Sequence, residues 1–224
     1  MYLVKPSAKI EGFYMDDPHS MERIGRVCYK SEDKITDDSA EKFIKARLGQ
    51  HESVIEHSAL TVRFICDRGV THELVRHRLC SFSQESSRYV SYKGGVTFII
   101  PPWINICPGE KEHDEGTTIK LEKGDTWDSI HFFWVNTIAH CESTYIKLLK
   151  LGWKPEQARS VLPNSTKTEI VMTANFREWR HIFKLRCNKA AHPQMRELMI
   201  PLLVDVKAAI PIIFDDIYAE GEKT

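Results

Sequence analysis

A long stretch of helical periodicity, between residues 127 and 151, constrains this chain more than any other feature. Apolar side chains recur there at positions 130, 133, 134, 138, 141, 145, 148 and 149. Recurrence at steps of about three to four residues places these side chains on one face of an α-helix, here about seven turns long. That face needs a partner, and a chain of 224 residues, 42% of them hydrophobic, can bury a sizeable core.

Two shorter segments alternate in the manner of β-strands, at residues 60–66 and 168–174. A period of two predicts a strand in each place, the first with one face well buried. Further helices are predicted over residues 38–49, 72–80, 155–159, 176–187 and 193–209, and β-leaning segments over 89–92 and 96–100. Helices and strands mix without a regular βαβ repeat, so the predicted fold class is α+β.

Local signals mark the ends of several predicted helices. Asp38 and Glu41 have the spacing of a capping box at the start of the 38–49 helix. Thr71 is a candidate cap for the 72–80 helix, and Pro201 is expected to kink the helix over 193–209. No linker separates regions of different composition, which predicts a single domain over residues 1–224.

The overall charge and the cysteines exclude several classes of protein. Lys and Arg number 31, as do Asp and Glu, so the net charge of zero argues against a protein that coats nucleic acid. No secretory signal is visible, and no apolar run approaches the ~20 residues that span a bilayer. The cysteines are scattered, which is typical of reduced thiols in the cytoplasm. They are Cys28, Cys66, Cys80, Cys107, Cys141 and Cys187.

The segment Arg76-His77-Arg78 is the strongest candidate for a binding site. On the predicted helix these side chains point about 100° apart, so at least one faces the protein body or a cleft. A buried guanidinium needs an anionic partner, and its planar fork matches phosphate or carboxylate. A run of small hydrogen-bonding residues follows, ending at Arg88. The pattern fits a ligand with phosphate groups, or alternatively a solvated basic helix before a serine-rich loop.

Three other hypotheses compete with a binding site for a phosphate-containing ligand. A zinc-protease helix carries its two histidines one turn apart. The residue four positions after His72 is Arg76 and not a histidine, so the zinc-protease hypothesis fails. The carboxylates and imidazoles of residues 51–57 could bind a metal, as in a phosphohydrolase, although nearby arginines would compete with a cation. The arginine segment could also belong to a nucleic-acid-binding module, against which the zero net charge counts.

The segment RHRLCSFSQESSR, residues 76–88, resembles the signature of flavin-dependent thymidylate synthases. Other segments are similar to the same family in the right order. They are HESVIEH at residues 51–57, ARSVLP at 158–163, Asn175-Phe176-Arg177 and Leu185-Arg186. The resemblance extends over residues 27–186 and is weakest between 102 and 140.

The resemblance implies a cytoplasmic methyltransferase that converts dUMP to dTMP. Methylenetetrahydrofolate would donate the carbon, FAD would carry the hydride and NADPH would be the reductant. It also implies a mixed or antiparallel sheet flanked by long helices, and a homotetramer whose subunits share active sites. A surface excursion is expected near residues 102–126. Small molecules are the expected partners, with neither nucleic acid nor membrane.

The resemblance further implies roles for individual residues. The expected FAD contacts are His51, Ser53, Arg76, His77, Arg78, Gln84, Asn175, Arg177 and His181. The expected dUMP contacts are Glu73, Arg76, Gln84, Glu85, Ser86, Ser87, Arg88, Arg159 and Arg186. Arg186 is the expected catalytic residue, because a cation beside the pyrimidine favours ionisation at N3. Glu73 and His181 depart from the Gln and Asn of some relatives, and no metal site is expected.

Cys80 lies inside the motif and could serve as a nucleophile, as a cysteine does in the classical thymidylate synthases. In the flavin-dependent family the reduced flavin supplies the hydride, so no such cysteine is required. We therefore expect Cys80 to be a small buried thiol on the predicted helix. Cys28 and Cys187 flank candidate residues and receive no role.

Overall fold

The computed structural model describes residues 1–112 and 129–219. The chain forms two compact units, each discontinuous in sequence. The first unit comprises Met1–Ser7, Ile65–Leu74 and Ser83–Ile170. The second unit comprises Ala8–Phe64, Val75–Phe82 and Val171–Thr224. The prediction of a single domain stays a prediction.

Strands and helices alternate irregularly along the chain. The strands are β1 (Tyr2–Val4), β2 (Ser7–Tyr14), β3 (Ala59–Asp67), β4 (Ser81–Gln84), β5 (Thr97–Ile99), β6 (Gly109–Glu110) and β7 (Lys167–Asn175). The helices are α1 (Pro18–Arg26), α2 (Ser39–Lys45), α3 (Arg68–Leu74), α4 (Ser129–Lys150), α5 (Pro155–Ala158), α6 (Phe176–Arg186), α7 (Pro193–Ala209) and α8 (Pro211–Phe214). Short 3-10 helices cover Val27–Tyr29, Glu32–Lys34, Glu52–Ile55 and Arg159–Val161.

The strands form two sheets. A three-stranded sheet has the order β5-β1-β6 and is mixed, because β1 pairs parallel with β5 and antiparallel with β6. Its register places Leu3 opposite both Phe98 and Gly109. A four-stranded sheet has the order β2-β3-β7-β4. The predicted α+β class is thus confirmed.

The strongest periodic signals correspond to real elements. β3 and β7 cover the two predicted strands, and side-chain burial alternates along the whole of β7. α4 covers the described part of the predicted long helix. α6 and α7 match the two predicted C-terminal helices, and α7 continues through Pro201. Periodicity over many residues averages out local exceptions, which explains why these predictions hold.

The helix predicted over residues 72–80 is wrong. α3 begins earlier, at Arg68, because the Asp67 carboxylate accepts a hydrogen bond from the Val70 backbone N–H at 2.7 Å. Thr71, the candidate cap, lies inside α3 and donates its hydroxyl to the Arg68 carbonyl. The helix ends at Leu74, so Arg76, His77 and Arg78 lie in the turn that follows.

Two other local predictions are also wrong. α2 spans only Ser39–Lys45, and the Asp38 side chain makes no capping hydrogen bond. The Ser39 hydroxyl instead accepts from the Thr36 N–H at 2.9 Å and donates to Glu22 at 2.7 Å. Residues 89–92 form turn and coil, with the Tyr92 N–H donating to the Tyr145 hydroxyl. In both places a partner distant in sequence replaces the predicted local pattern.

The first part of the predicted surface excursion, up to residue 112, is attached to the core. Ile104 and Ile106 are buried in the first unit. β6 pairs with β1, and the Lys111 N–H donates to the Met1 carbonyl at 2.9 Å. Residues 113–126 of the excursion lie outside the described residues.

Each unit has its own hydrophobic core. In the first unit Leu3, Phe98 and Tyr145 are fully buried. In the second unit the rings of Phe183 and Phe214 pack edge to face, with their centres 5.9 Å apart. The indole N–H of buried Trp179 donates to the Leu60 carbonyl. Among the described residues, no helix combines the length and apolarity needed to cross a membrane.

Gly25 is packed too closely to accept a side chain. A Cβ at this position would lie 2.7 Å from Phe43 and 2.8 Å from Val54. We predict that Gly25→Ala lowers the free energy of unfolding by about 1 kcal/mol, since overpacking outweighs the gain in helix propensity. Urea denaturation measures this change. In Gly94→Ala, where nothing lies within 4 Å of the new Cβ, the midpoint should stay unchanged; equal midpoints for both variants would contradict the close packing.

Candidate active site

The first unit contains a cavity with two arginines on its wall. The cavity has a volume of about 420 Å³ and is lined by Arg68, Ser87, Glu156, Arg159, Ser160 and Leu162. Arg159 opens a 3-10 helix directly after α5, and its Nη1 donates to the Ser87 hydroxyl at 3.2 Å. The structure thus brings together Ser87 and Arg159, two residues predicted separately as nucleotide contacts.

Gln84, at the end of β4, is held by two threonines. Its side-chain amide donates to the Thr71 hydroxyl at 3.1 Å and to the Thr168 hydroxyl at 3.3 Å. Both contacts fix the orientation of the carboxamide, although Gln84 itself is exposed. Its predicted contacts with flavin and nucleotide stay predictions.

Glu85 is the centre of an ionic network. Its carboxylate accepts from the Tyr92 hydroxyl at 2.6 Å and from Lys167 at 2.8 Å. Burial and the neighbouring Glu85 raise the pKa of Tyr92 to about 12, so the phenol stays protonated. Arg68 donates to the Glu85 carbonyl at 3.4 Å. The network orders the segment that enters the serine-rich turn.

Three further predicted nucleotide contacts, Ser86, Arg88 and Glu73, belong to the first unit. Ser86 is half-buried, and its hydroxyl accepts from the Arg88 N–H at 3.3 Å. Arg88 is exposed, with its guanidinium 5.5 Å from the centre of the Tyr89 ring. Glu73 lies on α3 and is half-buried.

Sequence reasoning missed three polar residues of the first-unit site. Arg68 lines the cavity, Thr71 orients Gln84, and Lys167 pairs with Glu85. A signal existed for Arg68, because polar residues directly after a buried strand often carry binding functions. Lys167 gave no such signal, since its partner is distant in sequence.

The second unit contains a cavity of about 720 Å³ beside α6. Asn175, Arg177 and His181, three predicted FAD contacts, lie on its wall together with Glu178. Asn175 caps α6, because its side-chain oxygen accepts from the Glu178 N–H at 2.9 Å. The cap fixes the helix start and places Arg177 and His181 on the first two turns.

Arg177 forms ion pairs across this cavity wall. It contacts Glu56, and its Nε lies 3.9 Å from Glu52. The hydrogen bond with Glu56 raises the pKa of Arg177 above its usual value. The side chain is 54% exposed, and exposed pairs of this kind stabilise by at most about 1 kcal/mol. An anionic ligand can therefore take over the guanidinium at small cost.

The predicted catalytic residue, Arg186, contacts the motif histidine. Its Nε donates to Nε2 of His77 at 3.0 Å. The Nδ1 atom of His77 lies 3.5 Å from Glu178, and the His181 ring is 6.2 Å away. Burial, followed by Arg186 and His181, lowers the pKa of His77 to about 4. His77 is therefore neutral near pH 7, and its contact with Glu178 is not an ion pair.

The other predicted FAD contacts of the second unit are exposed. Arg76 and Arg78 flank the buried His77 in the turn after α3. His51 precedes the 3-10 helix Glu52–Ile55, and Ser53 lies on it. Their side chains can therefore reach a ligand or a partner outside the chain.

Two possible metal sites are opposed by neighbouring arginines. His77, Glu178 and His181 offer ligand atoms within 4.8 Å of one another, but the Arg186 guanidinium beside His77 repels a cation. In the segment 51–57, Glu52 pairs with Arg180 and Glu56 pairs with Arg177. These pairs argue against the phosphohydrolase alternative, because the carboxylates already have cationic partners.

Cys80 has the environment of an unreactive thiol. Burial and the neighbouring Glu178 raise its pKa to about 12. The thiolate, which is the nucleophilic form, is therefore scarce at neutral pH. Cys80 is half-buried in the turn after α3, so the predicted full burial and helical position are both wrong, but the expected inert role agrees with this environment.

Comparison with known proteins gives one consistent family. The model of the family described as "Thymidylate synthase complementing protein" matches residues 13–212. A flavin-dependent thymidylate synthase of Corynebacterium efficiens is 34% identical over 215 residues, 91% of this chain and 82% of the relative. One from Geobacter sulfurreducens is 31% identical over 200 residues, 85% of this chain and 78% of the relative.

Two solved structures share the fold. A UMP/dUMP methylase, PolB, from Streptomyces cacaoi, bound with 5-Br dUMP, has a TM-score of 0.74 and 24% identity, covering 96% of both chains. Thymidylate Synthase X from Helicobacter pylori, with FAD and dUMP, has a TM-score of 0.68 and 18% identity, covering 94% of this chain and 98% of that one.

The low pKa of His77 predicts a loss of stability in acid. The unfolded chain binds a proton at His77 near pH 6.5, whereas the folded chain does so only near pH 4. The free energy of unfolding should therefore fall as pH decreases through this window. In His77→Gln the fall should be shallower, which urea titrations between these pH values measure. Parallel pH dependences for the variant and the original protein would contradict a neutral buried His77.

Proposed function

This chain belongs to the flavin-dependent thymidylate synthase family, and we propose that it methylates dUMP to dTMP with the residues described above. Methylenetetrahydrofolate is the carbon donor and NADPH the reductant. The match over residues 13–212, which includes every arginine of both cavities, carries this proposal.

The second unit has the donors that FAD requires. Its pyrophosphate is anionic, and the exposed guanidinium groups of Arg76, Arg78 and Arg177 match such a group bidentately. The other predicted contacts are assigned to the rest of the cofactor; they are His51, Ser53, His77, Asn175 and His181. Bound FAD supplies hydride transfer, chemistry that no side chain of the protein provides.

The first unit has the donors that a nucleotide monophosphate requires. Arg159 and Arg88 are assigned to the phosphate of dUMP, and Ser86 and Ser87 to hydrogen bonds with it. Support comes from the contact between Arg159 and Ser87 on the cavity wall. Glu73, Gln84 and Glu85 are assigned to the same ligand, with Gln84 also facing the flavin. The network around Glu85 holds this segment in place.

Arg186 is assigned to the pyrimidine ring. A fixed guanidinium beside the ring stabilises the negative charge that develops when N3 loses its proton. Support for a fixed orientation comes from the hydrogen bond to His77, which restrains the guanidinium before any ligand binds. Arg76, also assigned to dUMP, is exposed in the turn beside His77.

The working enzyme in this proposal is a cytoplasmic homotetramer with shared active sites, each chain acting as one domain. Ligand sites usually enclose most of the ligand. Four of the assigned arginines are exposed in the single chain, which supports a second subunit covering them; they are Arg76, Arg78, Arg88 and Arg159. The scattered free cysteines support a reducing compartment.

The test of the reaction is tritium release from dUMP labelled at C5. The purified protein should release tritium when FAD, NADPH and methylenetetrahydrofolate are all present. Omission of any one of them should reduce release to background. A colourless preparation that neither binds FAD nor releases tritium would refute the proposal.

Removing the pyrimidine contact should separate catalysis from cofactor binding. Arg186→Ala should retain the flavin absorption band but lose at least about 100-fold in dTMP formation, since the developing charge loses its cation. The matched control is Arg23→Ala, an exposed arginine of α1, which should behave as the unmodified protein. Near-normal turnover by Arg186→Ala would remove that residue from the mechanism.

Removing a pyrophosphate contact should have the opposite signature. Arg78→Ala should weaken FAD binding by at least about 10-fold, because a charge-assisted bidentate contact is lost. Equilibrium dialysis with FAD measures the change, with Arg23→Ala again as the control. Full flavin occupancy at limiting FAD would count against the assignment of Arg78.

A further inference from the structure

We infer that Glu178 is a positioning residue, which holds the Arg186 guanidinium in place through His77. The inference rests on the proposed function, because it takes from it the role of Arg186 at the pyrimidine. Glu178 and Arg186 both lie on α6, about 12 Å apart along its axis, and His77 contacts both. In this inference Glu178 acts through His77 and is not a catalytic residue itself.

The hydrogen bond between Arg186 and His77 determines which ring nitrogen carries the proton. A guanidinium has only donors, so the Nε2 atom that faces it must be the acceptor. A neutral imidazole with unprotonated Nε2 carries its proton on Nδ1. Of the two ring nitrogens, Nδ1 is the one that faces the Glu178 carboxylate, at 3.5 Å.

Glu178 stabilises this tautomer. Its carboxylate attracts the Nδ1–H and would repel a lone pair at that position. The distance is longer than an ordinary hydrogen bond, but the side chains of His77 and Glu178 are only 5% and 10% exposed. Little water competes at this burial, so the electrostatic preference between the tautomers is larger than it would be at the surface.

The opposite tautomer would break the hydrogen bond between His77 and Arg186. It would place an N–H on Nε2 against the N–H of the arginine, two donors facing each other. A protonated ring would do the same and add charge repulsion. Within residues 1–112 and 129–219, the charged or titratable groups in contact with the ring are Glu178, His181 and Arg186, all on α6. Among them, Glu178 has the one charge that favours the observed arrangement.

The tautomer can be observed directly by NMR of the flavin-loaded protein labelled with ¹⁵N-histidine. Imidazole ¹⁵N shifts distinguish a protonated ring nitrogen from an unprotonated one, and loss of the signals in His77→Gln assigns them. We expect a neutral ring with the proton on Nδ1 at pH 7. A cationic ring, or a proton on Nε2, would overturn the inference, whatever the variants do.

Two substitutions of Glu178 then test the link to Arg186. Glu178→Leu removes the acceptor, and we expect a mixture of tautomers and a kcat lower by about 10-fold, with KM for dUMP changed less. Glu178→Gln retains an oxygen that can accept the Nδ1–H, so it should restore the tautomer and most of the kcat. The control Glu41→Leu, at an exposed position on α2, should leave both unchanged.

A merely structural role for Glu178 predicts a different pattern. Lower stability without a change of tautomer, or an equal loss of kcat in Glu178→Gln and Glu178→Leu, would contradict positioning through His77. Failure of the proposed function is distinguishable from failure of this inference. If the proposed function is wrong, the original protein forms no dTMP. The tautomer of His77, compared between the original protein and Glu178→Leu, still decides whether Glu178 controls His77.

Discussion

The second unit depends on the buried guanidinium of Arg180. Its side chain is 1% exposed, and a guanidinium in that position is strongly destabilising unless anionic partners surround it. Arg180 donates to Glu52 at 3.0 Å, to both oxygens of Asp216 at 2.6 Å, and to the Ile213 carbonyl. These bonds tie α6 to the 3-10 helix Glu52–Ile55 and to the C-terminal segment. The residues assigned to FAD in these elements are positioned by the same set of bonds.

A chain of zero net charge can bind anions when some of its cations are paired with carboxylates and others are exposed to solvent. The buried Arg180 is paired with Asp216, and the half-buried Lys167 is paired with Glu85. At the surface, the motif arginines and Arg159 extend toward solvent. Net charge averages over both sets, whereas a phosphate responds to the groups within a Debye length of about 10 Å. An overall balance of charge therefore says little about a local pocket.

Burial keeps His77 and Cys80, two side chains near Glu178, neutral. It lowers the pKa of His77 to about 4 and raises that of Cys80 to about 12. A neutral imidazole can accept from the guanidinium, and a protonated thiol does not compete as a nucleophile. Both properties suit chemistry in which a cofactor supplies the hydride and the protein supplies a fixed cation.

The sequence by itself determined the elements whose signals are long, namely α4, β3 and β7, and the motif that identified the family. Only the tertiary structure decided that Arg76, His77 and Arg78 lie in a turn, that α2 is short, and that β1 pairs with β5 and β6. The tertiary structure also drew attention to Glu178, because it shows the contact with His77 and no sequence motif includes this residue. Periodicity reports a residue's average surroundings, whereas turns, caps and ring tautomers depend on one partner that is distant in sequence.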